Sequence, residues 1–232
     1  VGWLIGGNNV YAASTGPGRY GSGHVYLSNG GTSPWVAVGS NNFAKATRVH
    51  SLAVGNNGSV YAGVNSLLNG AVAGGNVYVA ATPTSIWQLV GGGAMPNNKF
   101  VIALTTDVNN NVYAGTSSIN QSGGIVYISN NGSGVWTQFA TPMPDGGTIN
   151  KIIVDSQKDI YTASGGGNVY VATNGSASWN IVGGGSPDNT PVYSIYVSTS
   201  GDVYAATKNG MVYFSSGGTG SWVLIAGGRV PL

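Results

Sequence analysis

The stretch "MVYFSSGGTGSW", residues 211–222, holds a Val-Tyr pair, a run of Gly, Ser and Thr, and a Trp nine residues after the Tyr. That spacing occurs five times in the chain. Tyr26, Tyr78, Tyr127, Tyr170 and Tyr213 each follow Val, and each precedes a Trp by nine residues: Trp35, Trp87, Trp136, Trp179 and Trp222. A second Val-Tyr or Ile-Tyr pair lies upstream in every unit, at Tyr11, Tyr61, Tyr113, Tyr161 and Tyr204, and the Trp positions advance by 52, 49, 43 and 43 residues. Five copies with one fixed internal spacing are a repeat, and a repeat decides the architecture before any single element does.

Each unit reads as four short strands. In the last unit they are "SIYVS" (194–198), apolar on both faces, then "DVYAAT" (202–207), "MVYFS" (211–215) and "WVLIA" (222–226). The first turn of each unit is rich in Asn, Gly and Asp, which tolerate the positive φ of tight hairpins. Four antiparallel strands per 40–50-residue unit is the pattern of a propeller blade. The sequence therefore predicts an all-β, five-bladed β-propeller in a single domain, 1–232, with blades near 1–39, 49–91, 100–140, 150–183 and 192–227. Each Trp lies 25 or 26 residues before the next unit's first Tyr, and the two ends together span a slightly shorter gap. Closure is expected at a blade-to-blade loop without a shared strand, with Trp3 as bulk at the junction.

The composition agrees with a folded, turn-rich β protein. Hydrophobic residues make up 42% of the chain, Gly numbers 40, and charged residues are only 6%, the acidic ones all Asp. A net charge of +2 from so few groups gives no basic field for nucleic acid, and no apolar run is long enough to span a membrane. The absence of Cys excludes disulfides and thiolate metal sites. Low charge with Asn/Ser/Thr/Gly-rich turns suggests a secreted, extracellular or periplasmic setting, and a monomer is expected.

The segment "VYISNNGSGVW" (126–136) resembles the Asp-box hairpin of sialidase-type (BNR) propellers, Ser-x-Asp-x-Gly-x-Thr-Trp. Ser28, Ser129 and Ser215 match its first position and all five Trp its last. The Asp position holds Gly30, Thr82, Asn131, Asn174 and Gly217, and the Gly position holds a hydroxyl residue every time. The resemblance implies a folding device away from any active site. It makes the five Trp and ten repeated Tyr packing residues, and the Ser and Thr local bonds to turn backbone.

Sialidase chemistry needs an arginine cluster and a Tyr nucleophile activated by Glu. This chain has only Arg19, Arg48 and Arg229, and no Glu. A carboxylate pair for glycoside hydrolysis would have to come from six Asp. Asp107, Asp155, Asp159 and Asp202 fall in inner hairpin turns, where Asp is ordinary turn chemistry, and Asp145 and Asp188 read as solvated loop carboxylates. His24 and His50 alone do not make a metal site. A non-catalytic protein without cofactor is expected.

The two repeated Tyr stand 9 residues apart in the last two units but 15, 17 and 14 apart in the first three. The extra length lies in "STGPGRYGSG" (14–23), "VNSLLNGAVAGG" (64–75) and "TSSINQSGG" (116–124), read as lengthened loops, where added function usually sits. These loops, with the connecting segments 91–100 and 183–191, supply the expected ligand-binding residues: Arg19, Tyr20, His24, Asn65, Asn97, Asn98, Asn120, Gln121, Asp188 and Asn189. Neutral amides beside occasional aromatics suit a neutral sugar bound between blades, similar in blade number to five-bladed invertebrate lectins of the tachylectin type. The alternative is a protein-interaction or structural propeller that docks through the enlarged loops of units one to three. A hydrolase is a distant third. Asn-x-Ser sequons stand at Asn57, Asn120, Asn131 and Asn174.

Overall fold

The computed structural model describes residues 2–6, 8–14, 22–39, 43, 47–68, 71–93, 95–96, 99–118 and 122–225, with backbone alone for 2–6, 66–68 and 71–73. Among the described residues twenty strands form five four-stranded antiparallel sheets. The first holds β1 (Gly2–Gly6), β2 (Asn9–Ser14), β3 (His24–Ser28) and β4 (Val36–Ala37). The second holds β5 (Thr47–Val54), β6 (Val60–Leu68), β7 (Ala71–Ala80) and β8 (Gln88–Leu89). The third holds β9 (Val101–Thr106), β10 (Val112–Thr116), β11 (Val126–Ser129) and β12 (Thr137–Gln138). The fourth holds β13 (Ile149–Val154), β14 (Ile160–Ser164), β15 (Val169–Ala172) and β16 (Asn180–Ile181). The fifth holds β17 (Val192–Val197), β18 (Val203–Thr207), β19 (Val212–Ser215) and β20 (Val223–Leu224). In every sheet the strands lie side by side in chain order, as the four-strand reading of the repeat requires.

The chain divides into two compact units, Val1–Ala114 with Tyr127–Thr137 and Gly115–Val126 with Gln138–Leu232, so the division runs through the third sheet. In the first unit Tyr11, Leu27 and Val25 pack with Val49, Ala62, Val64 and Trp87 of the second sheet. In the second unit Tyr161, Ala163 and Val169 pack with Val192, Ile195, Val203 and Ala205. Each aliphatic side chain buried this way contributes about 1.5–3 kcal/mol of transfer free energy.

The hairpins between third and fourth strands show why the repeat spends Gly and Asn where it does. In four sheets a 3-10 turn carries its middle residue at positive φ: Gly30 (64°), Asn131 (51°), Asn174 (54°) and Gly217 (56°). The backbone N–H of that residue donates to a side chain two residues before the upstream repeated Tyr. The acceptors are Asn9 (3.4 Å), Asn111 (3.0 Å), Asp159 (2.6 Å) and Asp202 (2.9 Å). The second sheet has Ser59 at the acceptor position and Thr82 at the turn position. Thr is β-branched and disfavours positive φ, and here Ser85 Oγ accepts from Thr82 N (3.2 Å) instead. Ser28, Ser129 and Ser215 donate to the carbonyls of Ser33, Gly134 and Gly220 at 2.6, 2.5 and 2.5 Å. These hydroxyls are spent on turn backbone.

Each Trp from the second sheet onward reaches back to the sheet before it. Trp87 Nε1 donates to Val38 O (3.1 Å), Trp136 Nε1 to Val90 O (3.2 Å), Trp179 Nε1 to Thr141 O (3.0 Å) and Trp222 Nε1 to Gly185 O (2.8 Å). Gly39, Gly91 and Gly183, at φ of 83°, 71° and 67°, lie so close under Trp87, Trp136 and Trp222 that a Cβ would collide with the indole. At the corresponding place in the third sheet the chain has Ala140, and Trp179 instead packs edge-on against Phe139 at 5.8 Å.

A second close approach recurs three residues before the downstream repeated Tyr. Gly23 N donates to Thr47 O (2.7 Å), Gly75 N to Lys99 O (3.1 Å) and Gly124 N to Gly147 O (2.7 Å). A Cβ on Gly124 would sit 2.5 Å from Thr116 O and 2.8 Å from Ile149 N, both backbone atoms that cannot swing away. Gly124→Ala is expected to cost about 1–3 kcal/mol, as overpacking does, measured as a lowered urea midpoint at unchanged slope.

Candidate interaction surfaces

Asp145 and Asp188 occupy equivalent places, 43 residues apart, in the loops entering the fourth and fifth sheets. Asp145 Oδ1 accepts from Ser164 Oγ (2.7 Å) and Gly147 N (3.0 Å), and Oδ2 from Asn168 Nδ2 (3.0 Å). Asp188 Oδ2 accepts from Thr207 Oγ1 (2.7 Å), and Oδ1 from Thr190 Oγ1 (2.7 Å) and Thr190 N (3.1 Å). The expectation of solvated loop carboxylates is corrected. Both are partly buried clamps tying the incoming loop to the last residue of the sheet's second strand. At Asp188 burial works against ionisation, but hydrogen bonds from Thr207 and Thr190 outweigh it and hold the carboxyl below its usual range.

Tyr170 stands beside the Asp145 clamp, and burial, then the Asp145 charge, push its phenol up to about 12. A raised folded value means the stabilisation is intact below the ordinary phenol value of 10 and is lost as pH climbs from 10 toward 12. Tyr170→Phe is expected to flatten the stability profile over that interval, read by denaturant titrations from pH 8 upward.

Of the residues expected to bind ligand, Arg19, Tyr20, Asn97, Asn98, Asn120 and Gln121 lie outside the described residues. His24 is half-buried, 6.0 Å from the Tyr26 ring, at the edge of a cavity of about 10 Å³ lined by Val38, Phe43 and Trp87. That is room for roughly one water. Asn189 is exposed, at φ 59°, and its N–H donates to Ser186 Oγ (2.9 Å). Asn65 is 2% exposed; its Nδ2 donates to Val101 O (3.2 Å) and its Oδ1 accepts from Val101 N (2.8 Å). Its amide mimics a strand partner and presents nothing to solvent.

Residues 64–68 and 71–75 are strand rather than loop, which corrects the sequence reading. β6 and β7 pair alongside β5 with Val64 opposite Asn76 and Asn65 opposite Gly75, and past β5's last partner, Ser66, they continue as a short paired arm, Leu67 opposite Val72 and Leu68 opposite Ala71. Asn69-Gly70 between apolar runs is a strong hairpin signal in the sequence, so residues added between two repeated Tyr lengthen strands as readily as loops.

The fifth sheet carries a surface that the sequence reading passed over. Tyr196, Tyr204, Phe214 and Val223 pair across all four strands and therefore share one face. Ring centroids are 6.0 Å apart between Tyr196 and Tyr204 and 5.3 Å between Tyr204 and Phe214. Tyr196 is 62% exposed and Tyr193 54%. "SIYVS" is apolar on both faces, and of its residues Ile195 is buried while Tyr196 is exposed. Among the described residues no three His, Cys, Asp or Glu side chains gather where a metal could sit, and no helix is long and apolar enough to cross a membrane.

No family model matches the chain, and no curated protein matches it in sequence. Solved structures do share its fold. The computationally designed Ika8 protein superposes with a TM-score of 0.63 at 12% identity over 95% of this chain. YCF48 bound to D1 peptide gives 0.61 at 11% over 96%, and the WD40 β-propeller domain of Doa1 gives 0.63 at 12% over 94%. The chain spans 59%, 74% and 64% of the length of those three chains. The fold is that of a β-propeller.

Proposed function

We propose that the chain is a non-catalytic protein-interaction propeller, its five sheets acting as five blades, which docks a peptide or protein partner through the arm of the second sheet. The arm carries this reading. β6 and β7 run to 9 and 10 residues, against 5 and 4 for β14 and β15, and the added residues 66–73, "SLLNGAVA", hold no charge. Paired strands carried past their neighbour, uncharged in sequence, would offer backbone strand edges to an extended segment. YCF48, which shares the fold, is solved with a peptide bound. A neutral-sugar site wants amides free to bond hydroxyls, and the amide of Asn65 is committed to Val101.

Parallel peptide and glycan arrays test the choice. Peptide binding is expected, weakened about tenfold or more by Leu67→Asp with Leu68→Asp, the loss typical of interface anchors. Glycan binding that survives the double substitution, with no peptide retained, would return the protein to the lectin reading.

A further inference from the structure

The inner strand of the second sheet departs from its counterparts in charge. Burial alternates along the start of β5: Thr47 and Val49 are buried and Arg48 and His50 are exposed, so the two basic side chains share one face. His50 is the extra residue of a β-bulge, because the pairing with β6 skips from Val49 to Ser51. The fourth and fifth sheets bulge at the same place, at Asn150 and Tyr193. In the fourth sheet the bulged side chain is spent within the fold, Asn150 Nδ2 donating to Val192 O (2.8 Å). Among the described residues the His50 imidazole makes no such bond. Two residues before the bulge, where the second sheet has Arg48, the fourth has Thr148 and the fifth Pro191.

Among the described residues of its own compact unit, Arg48 has no counter-ion. That unit holds Arg19, Lys45, Arg48 and Lys99 against one acidic residue, Asp107. Asp107 Oδ1 accepts from Asn109 N and Asn111 N (both 2.9 Å), and Oδ2 from Asn111 Nδ2 (2.7 Å) and Tyr113 Oη (3.1 Å), so this carboxylate is committed to its own turn and strand. An exposed guanidinium with no carboxylate to pair is the complement of an acidic ligand, which it can take with two parallel N–H bonds. Desolvation and then the Arg48 charge hold His50 below its ordinary value of 6.5. At neutral pH the imidazole is therefore uncharged, and it adds a hydrogen-bond donor beside the guanidinium rather than a second charge.

The pair stands at the root of the arm. Thr47 is the last residue of β5 to pair with β6, at Ser66, and Arg48 pairs with Asn65 one step before it, about 3.3 Å along the strand. Past that rung β6 and β7 continue alone. We propose that Arg48, with His50 beside it, receives a carboxylate of the segment docked on the arm, so that the partner is an extended peptide carrying Asp or Glu. This rests on the peptide-docking role of the arm and adds the chemistry of what docks there.

Short random peptides displayed on phage and selected by the whole chain test it. Wild type is expected to enrich Asp and Glu. The best binder, synthesised, should lose about two- to fivefold in affinity on Arg48→Gln, the range of an exposed ion pair, while its Asn/Gln analogue binds both proteins alike. Arg48→Glu should prefer the lysine analogue to the acidic peptide. Circular dichroism melts show that the variants fold; should either unfold, wild type in about 1 M salt, where the screening length is about 3 Å, should lose its preference for the acidic peptide over the amide one. Selected peptides without acidic bias, or an acidic peptide held as tightly by Arg48→Gln as by wild type, overturn the proposal. If those peptides still weaken on Leu67→Ser with Leu68→Ser, the arm keeps its role without the carboxylate site. Acidic peptides that depend on Arg48 but not on Leu67 and Leu68 uphold the carboxylate site and overturn the arm's part in it. A library from which nothing is selected overturns both.

Discussion

Trp87→Ala is expected to destabilise the protein by about 3–5 kcal/mol, the cost of emptying a buried aromatic site. The indole is buried among Phe43, whose ring centroid lies 5.1 Å away, and the flat face left by Gly39, with Nε1 on Val38 O. The wall at Gly39 cannot fill the hole, because Gly39 has no side chain and sits at φ 83°. Trp87→Phe keeps much of the apolar area and strands only the Val38 carbonyl, so it should cost about 1–3 kcal/mol. Gly39→Ala approaches the same contact from the other side. It combines a residue forced to positive φ with a collision against the indole, and should destabilise more than Trp87→Phe. Denaturant melts followed by circular dichroism rank the three. Equal effects for alanine and phenylalanine at 87 would show that the hydrogen bond, not the packing, holds the two sheets.

Asp145→Ala should cost about 2–4 kcal/mol, since hydrogen bonds to a charged group contribute about 1.5–3 kcal/mol and their loss strands buried donors. Ser164 is fully buried, and its hydroxyl, the Asn168 amide and Gly147 N all lose their acceptor together. Asp145→Asn retains one carbonyl oxygen and should lose less than half as much. Ser164→Ala in the Asp145→Ala background tests the coupling, because removing the stranded hydroxyl should restore part of the loss. A double-mutant cycle without coupling would show that the clamp is incidental.

The repeat made the strand content, the sheet order and the packing role of most repeated aromatics legible, because each rests on one spacing that recurs. The turn residues were legible in kind: Gly, Asn and Asp were expected to turn φ positive in the first turn of each unit, and Gly58, Asn110 and Gly201 do so there, with Lys158 taking the place in the fourth sheet. Less legible was where a side chain's hydrogen bonds go. Asn65 looks like any loop amide in the sequence, and only the bulge between Asn65 and Leu67 and the nearness of Val101 turn it inward. Asp145 and Asp188 share a Pro-Asp pair (144–145 and 187–188) 43 residues apart, a repeat signal that could have marked them as structural. Tyr196 was not legible because alternation along an apolar strand does not say which face is exposed, and Tyr196 is 62% exposed while Ile195 beside it is buried.

The glycine beneath each indole has an evolutionary consequence. Gly39 and Trp87, Gly91 and Trp136, Gly183 and Trp222 belong to consecutive repeats, so each pair is split between two copies of the same ancestral segment. A duplication one full repeat long delivers both halves whatever its starting point, whereas one of fractional length leaves an indole without its seat. Selection on the seam thus keeps gains and losses in whole repeats. At the described seam without glycine, Ala140 beside Trp179, Phe139 is set edge-on against the ring instead, so that copy of the seam no longer depends on a glycine.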